Sequence, residues 1–493
     1  MREATKKIFL DNFDEVYTEN GARAKSTTKN YLVDLLGHGA AMRTRNENDC
    51  ISLFSKALAT DADKAMKLLF YIRDIREGQG ERRFFRICMK FLALEYPKTV
   101  IQNLELIPEY GRWDDIIELI GINAKVDEAI KSLLRKQITN DLRVRFPSLL
   151  GKWLPSERAG KDSYEKFVKV VKLLYGEFNY SNARLFRKNV TSPLRNQINI
   201  IEHNIVNKSY EGIDYSKVPS LAMKRYYSMF LEYDNENFTK YLESLSKGEV
   251  KINAATLTPY DIVERIMNNH RIDSNKVILF DEQWKALKDI RNENAKENIV
   301  VCDVSGSMYP KCINVAIGLA IYLAERNEGV FKDKFITFSR DPKIQNIVGK
   351  TIVDKVKRLS NADWGMNTDI EAVFDRILSI AIDNKIAPTD MVQNVYVISD
   401  MEFDAAQGYY GARRNNNTLF ETIRAKFEAY GYTMPHLIFW NVENRTDQFP
   451  CDITEDATFI SGFSPNHIKF AFDGAESVVE QICSDERYEK IKF

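Results

Sequence analysis

The chain has 493 residues, 44% of them hydrophobic and 28% charged, and its 70 Lys+Arg balance 70 Asp+Glu. That length exceeds what one hydrophobic core usually holds, so two or more domains are expected, and the composition excludes a disordered or fibrous chain. No apolar run is long enough to span a membrane, and Met1 to Lys7 show no signal-peptide core.

Six cysteines (Cys50, Cys88, Cys302, Cys312, Cys451 and Cys483) form no Cys-x-x-Cys pair. They read as buried thiols in a reducing, cytoplasmic setting, with neither a disulfide framework nor a zinc site. The neutral total hides an asymmetry. Residues 297–493 carry 21 Lys+Arg against 29 Asp+Glu, a balance of −8, and residues 1–296 carry the opposite +8. The two halves therefore differ in the partners they attract.

Residues 1–50 read as weakly structured, with a polar, exposed stretch from Asn20 to Thr28. Helical periodicity then takes over at Ile51–Phe54 and Ala65–Ile72, breaks at Glu77-Gly-Gln-Gly80, and resumes from Glu81 to Leu94. Further helical patterns run over 100–106, 113–122, 126–142, 163–174, 193–204, 219–233 and 236–245. Successive helix pairs imply an α-solenoid or curved helical array, although no clean repeat period is visible. Gly78-x-Gly80 is a poor phosphate loop, because no strand precedes it. The charges around it (Arg73, Asp74, Arg76, Glu81, Arg82, Arg83) read as an ion-pair network fixing a helix turn.

Residues 131–195 hold 15 Lys+Arg against five acids. Arg143, Arg145, Lys152, Arg158, Arg184, Arg187, Lys188 and Arg195 stand out, interleaved with Phe146, Trp153, Tyr164, Tyr175, Phe178, Tyr180 and Phe186. Basic side chains neutralise phosphates and aromatic faces stack on unpaired bases, so the segment suits single-stranded nucleic acid. A solvated helix face over core aromatics has the same composition.

After Asn292 the pattern changes. Short β-rich runs at 299–302, 334–338, 395–398, 436–440 and 458–460 alternate with helical patterns at 312–326, 368–382, 419–430 and 475–483. Such alternation implies a parallel sheet covered on both faces, and a boundary near Asn292–Glu297. His436, in an apolar strand, reads as a core histidine.

Two of those runs end in acids. Ile299-Val-Val-Cys-Asp303 leads into Val-Ser305-Gly306-Ser307, and Val395-Tyr-Val-Ile-Ser-Asp400 ends the later one. Between them lies Gly365-Met-Asn-Thr368-Asp369. Oxygen donors at a strand's C-terminal edge suit Mg²⁺ or Mn²⁺, and Gly306 is expected to permit a tight turn. A strand followed by a Ser/Gly turn, with no metal, is the plain alternative.

In order and spacing, Asp303, Ser305, Ser307, Thr368 and Asp400 resemble the metal-ion-dependent adhesion site of the von Willebrand factor A domain. The resemblance implies a Rossmann-like fold over 297–493, with the serines and threonine as direct ligands and the aspartates acting largely through water. A helical array followed by such a domain looks like the Ro autoantigen (TROVE) architecture, which implies a HEAT-like α-helical domain over 1–296 that binds RNA. A closer likeness is to a related family with the same two-part layout. It is carried by Tyr71-Ile-Arg-Asp-Ile-Arg-Glu-Gly-Gln-Gly-Glu-Arg82, Lys152-Trp-Leu-Pro-Ser-Glu157, Val218-Pro-Ser-Leu-Ala-Met-Lys224 and Cys302-Asp-Val-Ser-Gly-Ser-Met308.

The expected class is thus multidomain α and α/β. Three functions fit. One is a non-enzymatic RNA-binding protein with a metal-dependent ligand site, single-stranded RNA being favoured. Another is a scaffold gripping a partner's acidic residue through the metal. The third, a metal-assisted phosphodiesterase, is disfavoured because neutral hydroxyl ligands dominate and no nucleophile–base set has a defensible spacing. No membrane partner is expected.

Overall fold

A computed structural model of the chain describes residues 15–17, 23–198, 201–254, 257–269, 271–290, 298–303, 305–328, 331–337, 342–361, 370–402, 419–445, 448–451, 457–470 and 474–493. Residues 1–68 with 255–485 form one compact unit, and residues 69–254 with 486–493 form another. The first is α/β and the second α-helical.

The α/β unit is built on a six-stranded sheet. A short antiparallel pair, β1 (Glu15–Tyr17) and β2 (Arg23–Lys25), stands apart from it. The main strands are β3 (Asn298–Cys302), β4 (Lys334–Thr337), β5 (Ile344–Asn346), β6 (Asn394–Ser399), β7 (His436–Asn441) and β8 (Ala457–Ser461). Their order is β5-β4-β3-β6-β7-β8, all parallel except the antiparallel edge strand β5. The central strands are buried almost throughout, as parallel strands covered on both faces must be. The helix Cys312–Arg326 is buried from Cys312 to Ala324. It is apolar all round because the sheet covers one side and the helix Pro259–Met267 the other. A Cβ at Gly318 would stand 3.0 Å from the Pro259 carbonyl carbon, so glycine sets the closeness of that crossing.

Each compact unit draws on chain from both sides of residue 296. Residues 23–68, expected to be weakly structured in their first part, belong with the sheet. The helix Tyr31–His38 is buried along almost its whole length and lies against β8 and β7. A Cβ at Gly37 would come 2.9 Å from the Phe449 ring and 3.1 Å from Phe459 Cβ. Ser461 Oγ donates to the Leu36 carbonyl at 2.6 Å, and Ala40 N donates back to that hydroxyl at 3.1 Å. Thr28, expected to be exposed, is fully buried and donates to Asp34 at 2.5 Å.

In the α-helical unit, helices Arg83–Glu95, Ala124–Asp141, Lys161–Tyr175, Ser220–Tyr233 and Asn235–Ser246 follow the predicted periodicity. The pattern over 193–204 is not one helix. A π turn at Arg187–Thr191 runs into Ser192–Gln197, and the chain turns extended at Ile198 before Ile201–Val206.

The charged motif at 71–82 is the centre of this unit. Arg73, 1% exposed, donates to Asp115 Oδ2 from Nη2 at 2.6 Å and from Nε at 2.9 Å. Arg86 Nε reaches the other oxygen of Asp115 at 2.6 Å. Asp74 is fully buried, and it takes Arg487 Nη2 at 2.9 Å and the Tyr488 hydroxyl at 3.1 Å. Tyr488 stacks on Tyr110, with centroids 5.6 Å apart. The segment 486–493 is thereby tied into the unit. A Cβ at Gly78 would collide with the Tyr71 carbonyl, which is why the turn carries glycine there.

Truncating one partner of a buried pair strands the other charge. Asp115→Ala is therefore expected to lower stability by about 3–5 kcal/mol, measured by urea unfolding. A loss below about 1 kcal/mol, the scale of an ordinary surface change, would remove the assigned role of this pair.

Candidate functional site

The site follows from strand pairing. Cys302 of β3 stands beside Ile398 of β6, so the residues just past both strands emerge together at the C-terminal edge. Asp303 N donates to the Ile398 carbonyl at 3.0 Å. Ser399 Oγ donates to Asp303 Oδ2 at 2.6 Å, and Ser305 N donates to Asp303 Oδ1 at 2.9 Å. One carboxylate thus fastens its own loop and the neighbouring strand. It is 1% exposed, so it sits inside the sheet edge and not on a rim.

Residues Gly306–Met308 make one 3₁₀ turn, which brings Ser305 Oγ and Ser307 Oγ to 2.9 Å from each other. Gly306 has open space where a Cβ would stand and no left-handed φ, so glycine is not sterically required there, contrary to expectation. The strain lies instead after Asp400, where Met401 has φ 67°. That region costs a non-glycine residue roughly 1–2 kcal/mol. The Ser399 hydroxyl accepts Met401 N at 3.0 Å and holds this turn.

Asp400 is 2% exposed, and its Oδ2 accepts no hydrogen bond. Its Oδ1 takes Glu402 N at 3.3 Å. Burial, and then the neighbouring Asp303 carboxylate, push the Asp400 pKa up to about 6, against Ser307, Arg445 and the Glu402 amide, which lower it. A buried acid with an oxygen left over, beside a second acid and two hydroxyls, is a donor set that fits a hard divalent cation. Asp303, Ser305, Ser307 and Asp400 are therefore brought together, whereas Thr368 lies outside the described residues. Among the described residues, no group of three or more His, Cys, Asp or Glu is placed to hold a metal. Two of the four donors here are hydroxyls.

Glu402, just past Asp400, is also buried, at 3% exposed, and Asp404 lies outside the described residues. Sequence reasoning also missed Arg445, beyond β7. Its Nε lies 3.5 Å from Asp400 Oδ2, and its Nη2 donates to the Ser307 carbonyl. No motif marks it; its only signal is its place after a strand next to β6. Nearby, Cys312 Sγ stands 3.1 Å from Glu443 Oε2, and burial followed by that contact pushes the thiol pKa up. All six cysteines are buried thiols. His436 Nε2 pairs with Thr458 Oγ1 at 2.8 Å within the sheet.

The basic segment lies in the α-helical unit. Arg143, Arg145, Arg158, Arg184 and Lys188 are exposed. The other three have protein partners. Arg195 donates to the carbonyls of Gly151 at 3.1 Å and Leu154 at 2.8 Å, Arg187 pairs with Glu157, and Lys152 lies 3.7 Å from Glu202. Trp153 lies under the Arg112 guanidinium, 4.4 Å from its centroid, and Phe186 is core. Tyr180 is 77% exposed and Phe146 is 82% exposed. Phe146 sits on a braced loop. Asp141 accepts Ser148 N at 3.0 Å and Ser148 Oγ at 2.6 Å, closing the turn that displays Arg143, Arg145 and Phe146.

The profile of the family described as Domain of unknown function (DUF2828) matches residues 18–143 and 147–296, more than half of the chain. The chain belongs to the DUF2828 family. A second profile, Domain of unknown function (DUF7788), matches residues 297–492 of this DUF2828 protein. The uncharacterized protein L728 of Acanthamoeba polyphaga mimivirus is similar to it, 28% identical over 500 residues that cover 93% of this chain and 85% of L728. The two profiles meet at 296/297, while the compact units interleave across that point. Among the described residues, no helix is long and apolar enough to cross a membrane.

The raised pKa of Asp400 carries a sign. A carboxyl whose folded pKa lies above its ordinary value of 3.8 favours folding most below that pH, and the benefit is lost as pH rises through about 6. Above that, its charge is a cost of roughly 2–3 kcal/mol. With a chelator at pH 8, Asp400→Asn is expected to raise the melting temperature, and the gain is expected to vanish near pH 4. An unchanged or lower melting temperature at pH 8 would contradict the strained acid pair.

Proposed function

We propose that this chain is a non-enzymatic binding protein with two ligand surfaces. The first is a metal-dependent site of von Willebrand A type at the edge of the α/β unit. The second is a surface for single-stranded RNA on the α-helical unit, in a Ro-like (TROVE, HEAT-like) arrangement. The observation that carries the reading is Asp400 Oδ2, a buried carboxylate oxygen without a hydrogen bond, beside Asp303 and the paired hydroxyls of Ser305 and Ser307.

Asp303, Ser305, Ser307, Thr368 and Asp400 would hold Mg²⁺ or Mn²⁺. With hydroxyls as ligands, the bound ion stays electron-poor and supplies attraction for an external anionic oxygen, such as a partner's carboxylate. Asp303 and Ser399 would keep the loop in place while that ligand docks. Calorimetric titration with MgCl₂ is expected to show one site per chain that is lost in Asp303→Asn. No divalent binding, even with acetate present, would remove the metal reading and leave a plain strand–turn.

The RNA reading is supported by the five exposed cations and by Phe146, displayed to solvent on a loop that Asp141 holds shut. Reversing charge at Arg143, Arg145 and Arg184 is expected to weaken single-stranded RNA binding for all sequences alike, because phosphate contacts carry no base information. If six or more phosphates are contacted, affinity in filter binding falls about a thousandfold or more between ~50 and ~200 mM salt. Phe146→Ala is expected to cost about 1–3 kcal/mol without changing that slope, since stacking releases no counterions. Absence of binding tighter than ~100 μM at ~50 mM salt would end the RNA reading and favour the scaffold that grips an acidic partner.

A further inference from the structure

Arg445 stands against the same carboxylate that the metal reading requires. Its Nε lies 3.5 Å from Asp400 Oδ2, an ion-pair separation too long for a good hydrogen bond. Its Nη2 donates to the Ser307 carbonyl, so the guanidinium touches both the β6 edge and the serine turn. The Arg445 side chain is 32% exposed and Asp400 only 1%, so the cation approaches from the solvent side of a buried acid. Its backbone is fixed from another element. The Arg445 carbonyl accepts Arg45 Nη1 at 2.6 Å, and Arg45 Nε is held by Asp49 Oδ2 at 2.7 Å, in the first turn of the helix Glu47–Thr60. The guanidinium is thus delivered to this place by a braced loop.

An arginine stays protonated at every working pH, so its charge is permanent. Asp303 and Asp400 together present two negative charges when ionised, and Arg445 offsets one of them. We propose that Arg445 is a resident counter-cation of the metal site, competing with a divalent ion for Asp400 and setting how tightly the ion is held. This rests on the metal reading given above. The contact suits that role because the charge attraction to Asp400 is loose, whereas the directional bond goes to a backbone carbonyl. A divalent ion can take over the carboxylate while the guanidinium turns outward.

A purely structural clamp makes the opposite prediction for metal. Removing a clamp loosens the serine turn, so both stability and ion affinity fall. Removing a counter-cation leaves two acids facing each other, so stability in chelator falls while ion affinity rises.

The test uses the full chain, with Arg445→Gln to remove the charge and keep a donor for the Ser307 carbonyl, and Arg445→Lys to keep the charge. Magnesium chloride alone is the probe, read by calorimetry and by melting temperature against a chelator baseline. Arg445→Gln is expected to bind Mg²⁺ on the order of tenfold tighter, with a lower melting temperature in chelator and a larger rise on adding the ion. Arg445→Lys is expected to stay near the wild type in both readouts. Equal or weaker binding in the Gln variant overturns it, as does a Lys variant that behaves like Gln. No binding in any of the three proteins overturns the metal reading itself, and this inference with it.

Discussion

Strands β3 and β6 run parallel and adjacent, with Cys302 opposite Ile398, and this pairing decides where each acid of the site ends. Nearly 100 residues separate Asp303 from Asp400, and the chain passes through β4, β5 and intervening helices before β6 returns parallel to β3. Once the strands pair, two carboxylates are forced to one edge inside a buried environment. Ser399 relieves Asp303, whereas Asp400 is left with an oxygen that no neighbour hydrogen-bonds. The edge therefore keeps the Asp400 charge only at a cost, and a cation offsets that cost.

The α-helical unit handles buried charge differently. Asp115 and Asp74 lie as deep as Asp400, yet each is saturated by arginine, tyrosine or backbone donors. Complete pairing suits a structural core, because every lone pair has a partner and nothing is gained by adding an ion. The same residue type thus has two fates in one chain, set by how many donors the local fold supplies.

Much of this was legible before any coordinates. The five longest strands and the helix Cys312–Arg326 follow from apolar runs and helical period. The acids at both strand ends were readable because pairing of parallel strands exposes their C-terminal edge. What escaped has physical reasons. β5 is a three-residue edge strand without a buried residue, so it has no apolar signature. The helix Ile352–Ser360 is short, and its one local mark is the Thr351–Asp354 capping box. The helix Tyr31–His38 buries even Asp34 and His38, and its burial against the sheet depends on a partner more than 400 residues away. Arg195 was singled out for its charge, but that charge is spent on two backbone carbonyls of its own unit. Arg445 belongs to no motif because a three-dimensional neighbour, not spacing, gives it a role.

The interleaving of the chain has a consequence for its birth on the ribosome. The helix Tyr31–His38 is made about 420 residues before the strand it covers, Ala457–Ser461. At typical rates of 5–20 residues per second, that interval is roughly 20–80 seconds. The α-helical unit has a similar wait, since Arg487 and Tyr488, which neutralise and cap Asp74, are made 413 and 414 residues after it. Neither unit can complete its packing before these late segments have emerged. An apolar amphiphile such as Leu32-Val-Asp-Leu-Leu36 must stay soluble throughout that delay.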